Sequence, residues 1–308
     1  MEHTIKKILV PVDFKEPSVH AINYAGNLAR KVGAEILLLN IIYTPGLLAQ
    51  FFTDSDNLVK ITEQAKGKLI EMASVLKDKH PDITLNTRVE RGKPYEKILN
   101  VSKEWGASMV ILGENHQCGN PEDELGSTVY HVTLKSGVPV LTVKGDTSRM
   151  KDNIVVPLDL TKKTNEKLSA ALYYGLEYGA VIHLVSVLAG GIKKEESRIY
   201  KKLEKARETL ELNGVKCKMK LYKRSETPAF KKVLKYAGKV DAGMILLMTH
   251  QEGYTHDNYI GAFAHHIMNL SKVSVLSITS VSNNADFEPF FKALIDPMGV
   301  LINKSKVD

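Results

Sequence analysis

The sequence predicts an α/β fold built twice, as two tandem domains that are each a five-stranded parallel sheet with helices on both faces. Three observations predict it. Short apolar runs alternate along the chain with longer stretches of helical spacing. The runs are continuous rather than alternating, as expected of parallel strands covered on both faces. The pattern then starts again after about 146 residues.

The first strand is Ile8-Leu9-Val10-Pro11-Val12-Asp13-Phe14, an apolar run that ends in a carboxylate. Glu16-Pro17-Ser18 reads as a turn, and the helical spacing begins at His20. Residues 35–42 form the second strand and open a βαβ unit, right-handed by default. The connection 43–60 carries Leu47, Leu48, Phe51 and Phe52, which are apolar for a loop and are expected to cover a pocket, a partner surface or the domain core. A helix over 61–78, a strand over 83–89 and a helix over 94–105 follow. Met109–Gly113 is then a buried strand, Gly126-Ser127 opens a helix, and the apolar run after Gly137 is the fifth strand.

The repeat fixes the organisation. Ile8-Leu-Val-Pro-Val-Asp-Phe matches Ile154-Val-Val-Pro-Leu-Asp-Leu, and Leu39-Asn40-Ile41 matches Val185-Ser186-Val187, both at an offset of 146 residues. Met109-Val-Ile-Leu matches Met244-Ile-Leu-Leu, Gly126 matches Gly261, and Val138-Pro-Val-Leu-Thr-Val matches Val273-Ser-Val-Leu-Ser-Ile, now at 135. The second copy has therefore lost about eleven residues between its second and third strands. The expected domains are 1–146 and 147–282, joined by the polar segment Gly145–Asn153, with a tail over 283–308 whose Phe287, Phe290, Phe291, Leu294 and Ile295 suit a short amphipathic helix.

Composition narrows the function classes. At 44% hydrophobic and 25% charged residues the chain reads as a soluble globular protein, and no apolar run approaches the roughly 18 to 20 residues that span a bilayer. The N-terminal run is broken by Pro11 and Asp13 and reads as a strand rather than a signal peptide. Cys118 and Cys217 make no disulfide framework, so a reducing cytoplasm is the expected compartment. Residues 1–146 carry 17 Lys+Arg against 18 Asp+Glu, and residues 147–308 carry 25 against 17, so the basic excess belongs to the second half, mostly between Lys193 and Lys239. Without an RNP pattern, a zinc finger or a GxxG loop, this basic segment reads as solvated helix and strand faces, and a nucleic-acid partner is not expected.

The chemistry centres on Met109–Val143. A strand that enters a loop ending at a helix N-terminus gathers unpaired backbone N–H groups and the positive end of the helix dipole at one place, which suits a phosphate. The residues KKILVPVDF, the strand ending in LLLNI, Arg91-Gly92-Lys93-Pro94 and ILG…GST…VPVLTV, in that order and in two copies, resemble the universal stress protein family in its tandem two-domain form. The resemblance covers nearly the whole chain except the tail. It implies Rossmann-like domains of the adenine nucleotide alpha hydrolase-like type. For the family's nucleotide-binding branch it also implies a phosphate loop of the form Gly-x2-Gly-x9-Gly-[Ser/Thr].

Here Gly113, His116, Gly126 and Ser127 occupy the positions of that loop, with its spacing intact and one glycine replaced. Carried over, Asp13 and Ile41 contact the adenine and ribose, while Gly113, Gly126, Ser127 and Thr128 hold phosphates. Pro11, Val12 and Leu112 complete the expected site. His116 adds a Cβ where close approach is needed and occludes the phosphate, or when protonated it donates a hydrogen bond to one. Glu122-Asp123-Glu124 repel a polyphosphate unless Mg²⁺ bridges them. In the second copy the equivalent positions are Met248, Gln251 and Gly261-Ala262, and although Asp159 remains at the end of its first strand, an aspartate there also caps the following turn and helix, so no ATP site of the family type is expected there.

Other chemistry finds little support. His183, His250, His256, His265 and His266 lack metal-ligand spacing, as does His116-Gln117-Cys118. Ser127 has neither a base nor a nucleophile elbow, and there is no Walker A lysine, so no enzyme is expected. The expected function is binding of ATP or a related adenine nucleotide as a regulatory or structural ligand in stress response. The alternative is a scaffold without nucleotide, whose last strands Val138–Val143 and Val273–Ile278 pair and whose other surfaces take a homo-oligomer or protein partner.

Overall fold

The computed structural model describes residues 6–43, 55–114, 125–145, 151–160, 164–188, 197–249 and 260–278. The first half runs β1 (Lys7–Val12), α1 (Glu16–Val32), β2 (Glu35–Ile42), α2 (Ser55–Lys79), β3 (Thr84–Arg91), α3 (Pro94–Trp105), β4 (Met109–Glu114), α4 (Ser127–Lys135) and β5 (Val140–Lys144). The second runs β6 (Asn153–Pro157), α5 (Asn165–Tyr178), β7 (Val181–Val187), α6 (Arg198–Leu212), β8 (Cys217–Tyr222), α7 (Ala229–Lys239), β9 (Met244–Met248), α8 (Ala262–Leu270) and β10 (Ser274–Ile278).

The strands form one ten-stranded sheet in the order β3-β2-β1-β4-β5-β10-β9-β6-β7-β8. Each half is parallel throughout and doubly wound, with the chain reversing direction across the sheet between β1 and β4, and again between β6 and β9. The halves join antiparallel through β5 and β10, with Thr142, Leu141 and Val140 opposite Val275, Leu276 and Ser277. Leu141 and Leu276 are equivalent residues of the two copies, so the joint is a self-complementary contact about a local two-fold axis.

Helices α1, α2, α5 and α6 cover one face of the sheet, over a core of Ile8, Val10, Leu28, Leu38, Leu69, Ile154, Ile182 and Leu203. Helices α3, α4, α7 and α8 cover the other, over Leu9, Leu39, Ile98, Val110, Val132, Val233, Ile245 and Ile267. Successive strand residues go to opposite cores, which is why the strands read as unbroken apolar runs. The copies also share local devices: α1 and α5 both stop at a left-handed glycine, Gly33 and Gly179, where a Cβ would be strained.

Several boundaries differ from the sequence expectation. Helix α1 begins at Glu16, where a turn was expected, because Pro17 suits the first helical turn and Ser18 is held by Asp13. Helix α2 starts six residues earlier than periodicity suggested, at Ser55. The deletion in the second copy falls largely in this element, since α2 has 25 residues and α6 has 15. Leu47, Leu48, Phe51, Phe52 and the tail lie outside the described residues.

Side chains reinforce the joint. Tyr130 of α4 meets His265 of α8 edge-on at 6.4 Å, and their helices carry two equivalent ring pairs, Tyr95 with His131 at 4.6 Å and Phe230 with His266 at 4.5 Å. On the opposite face the Lys31 ammonium donates to the carbonyl of Tyr178 in α5 and lies 5.9 Å from its ring. A buried ion pair closes the end of the sheet: Lys144 Nζ is 3.3 Å from Glu114 Oε2 and also donates to the Met268 carbonyl of α8.

Three measurements check this packing. A Cβ at Gly113 would stand 1.9 Å from the Pro17 carbonyl oxygen, whereas one at Gly126 meets nothing within 4 Å. Gly113→Ala is therefore expected to cost about 1–3 kcal/mol in urea denaturation, and Gly126→Ala about 1 kcal/mol or less, the loss of the N-cap preference for glycine over alanine. Lys144→Met strands a buried carboxylate and is expected to cost about 3–5 kcal/mol. The third concerns His183, whose Nε2 faces Asn153 Oδ1 at 3.1 Å and whose Nδ1 faces the Tyr236 hydroxyl at 3.0 Å. Burial first, and the charge of Lys218 second, hold this imidazole below its ordinary 6.5. Its contribution to stability is complete above pH 6.5 and is lost as pH falls through the folded-state value, because unfolding then takes up a proton. His183→Gln is expected to flatten the acid side of the stability profile below pH 6.5.

Candidate functional site

The crevice of the first half is shaped by Pro11. Proline has no N–H to give to a ladder, and β1 pairs with β4 only at Ile8–Met109 and Leu9–Val110 before the strands part. β6, which carries Pro157 at the equivalent place, likewise pairs with β9 only at Ile154–Met244 and Val155–Ile245. The gap lies at the strand C-termini where the sheet order reverses, the place such sheets offer a ligand. On the β2 side of the same strand end, Asn40 Nδ2 donates to the carbonyl of Val12 at 2.8 Å. Ser186 Oγ donates to Leu158 at 2.8 Å in the equivalent bond of the second half.

Asp13 follows directly, and its carboxylate turns back on its own loop. Oδ1 accepts the Lys15 N–H at 3.1 Å and the Ser18 hydroxyl, while the Asp13 N–H donates to Ser18 Oγ at 3.1 Å. Oδ2 lies 3.8 Å from the Lys15 ammonium in a side chain that is 61% exposed, so this oxygen remains open to a ligand. Phe14 takes up the bend at φ 64°. Ile41 sits half-buried near the end of β2, opposite Glu90, against the α3–α4 core.

Leu112 is buried and Gly113 lies at the end of β4, where the first turn of α1 comes down on it. Glycine at 113 is thus demanded by packing. Met248 is the residue at this place in the second half, and there α5 touches β9 far less closely than α1 touches β4. His116, Gln117, Cys118, Glu122, Asp123 and Glu124 lie outside the described residues, as do His250, Gln251 and His256.

The chain is described again from Leu125, whose N–H donates at 3.1 Å to Asn269 Oδ1 of α8. One side of the site is therefore held by the second half. Gly126 is the N-cap of α4, without a side-chain cap, and there is no acidic residue in the first turn. Gly126 and Ser127 are exposed and Thr128 is half-exposed, so the helix presents N–H groups and two hydroxyls to solvent. The topology brings Pro11, Val12, Asp13, Ile41, Leu112 and Gly113 to one edge of the sheet; Gly126, Ser127 and Thr128 open the helix that follows β4.

Sequence reading missed Ser18, Asn40 and Asn269. The first two were legible in retrospect, as a hydroxyl five residues after an aspartate and as a polar residue inside an apolar strand. Asn269 carries no local signal. Cys217, a buried free thiol, has its pKa pushed up to about 12, mainly by burial, and so is no nucleophile at neutral pH. Among the described residues no cluster of three or more His, Cys, Asp or Glu is placed to hold a metal, and no helix is long and apolar enough to cross a membrane.

Comparison with known proteins agrees with this architecture. The sequence profile of the Universal stress protein family matches residues 4–144. Universal stress protein YxiE of Bacillus subtilis is 28% identical over 145 residues, covering 45% of this chain and 98% of its own. Universal stress protein MJ0577 of Methanocaldococcus jannaschii is 29% identical over 160 residues, covering 45% of this chain and 94% of its own. A crystal structure of a universal stress protein from Archaeoglobus fulgidus superposes with a TM-score of 0.71, covering 89% of this chain and 98% of that one; at 20% identity this shows the shared fold. Through residues 4–144 the chain belongs to the universal stress protein family, and its two halves fit the tandem form of that family.

Proposed function

We propose that the first half, within domain boundaries of 1–146, binds ATP or a related adenine nucleotide as a regulatory or structural ligand in a cytoplasmic stress response, without turning it over. The observation that carries this reading is the uncapped N-terminus of α4 with Ser127 exposed and Thr128 half-exposed on its first turn, following the strand that ends beside the β1–β4 gap. Free N–H groups and the helix dipole favour a phosphate there. Asp13 Oδ2 and Ile41 are available at the same edge for the base and ribose. The second half, over 147–282, has Ala262-Phe263 in place of the hydroxyl pair and serves the first as a structural partner.

A scaffold that takes no nucleotide is the second reading. It draws on Gly113, whose close contact with Pro17 explains the glycine without any ligand. In that case other surfaces serve a second copy or a protein partner.

Thermal shift and calorimetry with ATP and AMP, with and without Mg²⁺, separate the two. At a ligand concentration of 100 Kd, binding is expected to add about 2.7 kcal/mol of stability. Replacing both hydroxyls, as Ser127→Ala with Thr128→Val, is expected to weaken binding by roughly tenfold or more, since hydrogen bonds to a charged group contribute about 1.5–3 kcal/mol. The thermal midpoint of the free protein should stay put. No heat and no shift with either nucleotide would overturn the proposal, and binding that appears only in His116→Gly would place the obstruction at that side chain.

A further inference from the structure

We infer that the face formed by β8 and α7 binds single-stranded nucleic acid through its phosphate backbone. The inference rests on a comparison the molecule makes with itself, because the equivalent face of the first half, β3 with α3, is built on the same plan with most of its cations paired. Residues 84–105 carry five Lys and Arg against three Glu, and those glutamates pair with three of the five cations. Arg88 bonds Glu90 and Glu104, Lys97 bonds Glu90, and Lys93 bonds Glu96.

Asn40 pairs with Val89 and its counterpart Ser186 pairs with Leu221, so Lys220 stands where Arg88 does and Tyr222 where Glu90 does. Along the helices, Lys231 replaces Glu96 and Lys239 replaces Glu104. All three neutralising carboxylates are gone, two of them reversed in sign. Residues 217–239 carry eight Lys and Arg and the single acid Glu226.

The cations share one side of the sheet. Lys218 lies opposite His183, whose ring meets Tyr236 of α7, so Lys218, Lys220 and Tyr222 all point to the α7 face. Lys231, Lys235 and Lys239 form one exposed stripe at four-residue spacing on α7, and Lys232 beside them reaches back to the Lys223 carbonyl at 2.8 Å. The positions that Arg88 and Glu104 hold in the first half are taken in the second by Lys220 and Lys239, two like charges. Among the described residues, none of Lys218, Lys220, Lys223, Lys231, Lys235 and Lys239 makes an ion pair. Lysines on an edge strand also discourage strand pairing, but that role needs none on α7, and β3 guards its edge with paired charges.

An unneutralised row of ammonium groups spread over a strand and a helix suits a polyanion that releases counterions on binding. Half-exposed Tyr222, with Lys220 Nζ 5.3 Å from its ring and Tyr236 edge-on at 6.4 Å, offers an aromatic surface among the charges, which favours a strand with free bases over an acidic peptide.

The test uses the full chain and a fluorescent oligouridylate of about 20 nucleotides, long enough for one such site. With about five phosphates neutralised, log affinity should fall with log salt at a slope near −3.5, a loss of about 100-fold between 50 and 200 mM. Lys231→Glu with Lys239→Glu restores the carboxylates of the first half and should lower affinity at least tenfold and flatten the slope, with an unchanged or raised thermal midpoint. Tyr222→Leu should weaken binding severalfold at every salt concentration with the slope kept. The inference fails if the oligonucleotide does not bind or if the reversal leaves binding intact. It also fails if polyglutamate competes equally well while Tyr222→Leu has no effect, an outcome that assigns the face to an acidic protein.

Discussion

The antiparallel pairing of β5 with β10 is the contact on which the rest of the molecule depends. Each half taken alone would end in a strand that is apolar on both sides and open along one edge, an arrangement prone to pair with another chain. Joining those edges makes a single ten-stranded sheet and turns two exposed flanks into the centre of the protein. The helices beside the joint follow from it: once Leu141 faces Leu276, α4 must lie against α8 and α1 against α5. The outermost strands are then β3 and β8, and these carry charge and polar residues where the inner strands carry Leu, Ile and Val.

Because the joint has two-fold symmetry and the sequences flanking it do not, the halves have become complementary. The first keeps a glycine against Pro17 and two hydroxyls at the start of α4; the second has Met248 and Ala262 at those places. The first pairs three cations of its outer face with glutamates and the second leaves a row of lysines. Both halves part at the same gap, and they differ in the side chains set beside it and along the outer face. Likeness of fold alone would not have separated these roles, which reside in particular side chains.

Much of the architecture was legible in the sequence, because a parallel strand buried on both faces leaves an uninterrupted apolar run and a repeat prints it twice. The ten strands follow from those runs, while the family resemblance implies the Rossmann-like order and the pairing of the last strands. Helix starts were less legible: the Glu16-Pro17-Ser18 segment has turn composition, yet Asp13 and Ser18 tie it into α1. The site was read only in part. Asp13, Gly113 and Gly126 stood out as motif residues, but the reason for Gly113 lies in an α1 contact that no local pattern encodes. The basic segment shows the same limit, since its meaning depends on which carboxylates are missing opposite it, and that is a question of register.

The bond from Asn269 to the Leu125 N–H has a consequence for how such a chain can diversify. Asn269 and Leu134 occupy equivalent places in the two copies, yet one offers an amide and the other a hydrocarbon. In an assembly of two identical chains, any residue that improved one rim of the axis would appear on both rims, including where it did harm. Covalent fusion lifts that restriction. The second copy can become a dedicated brace for the first, free to lose its own crevice while the crevice opposite keeps its shape.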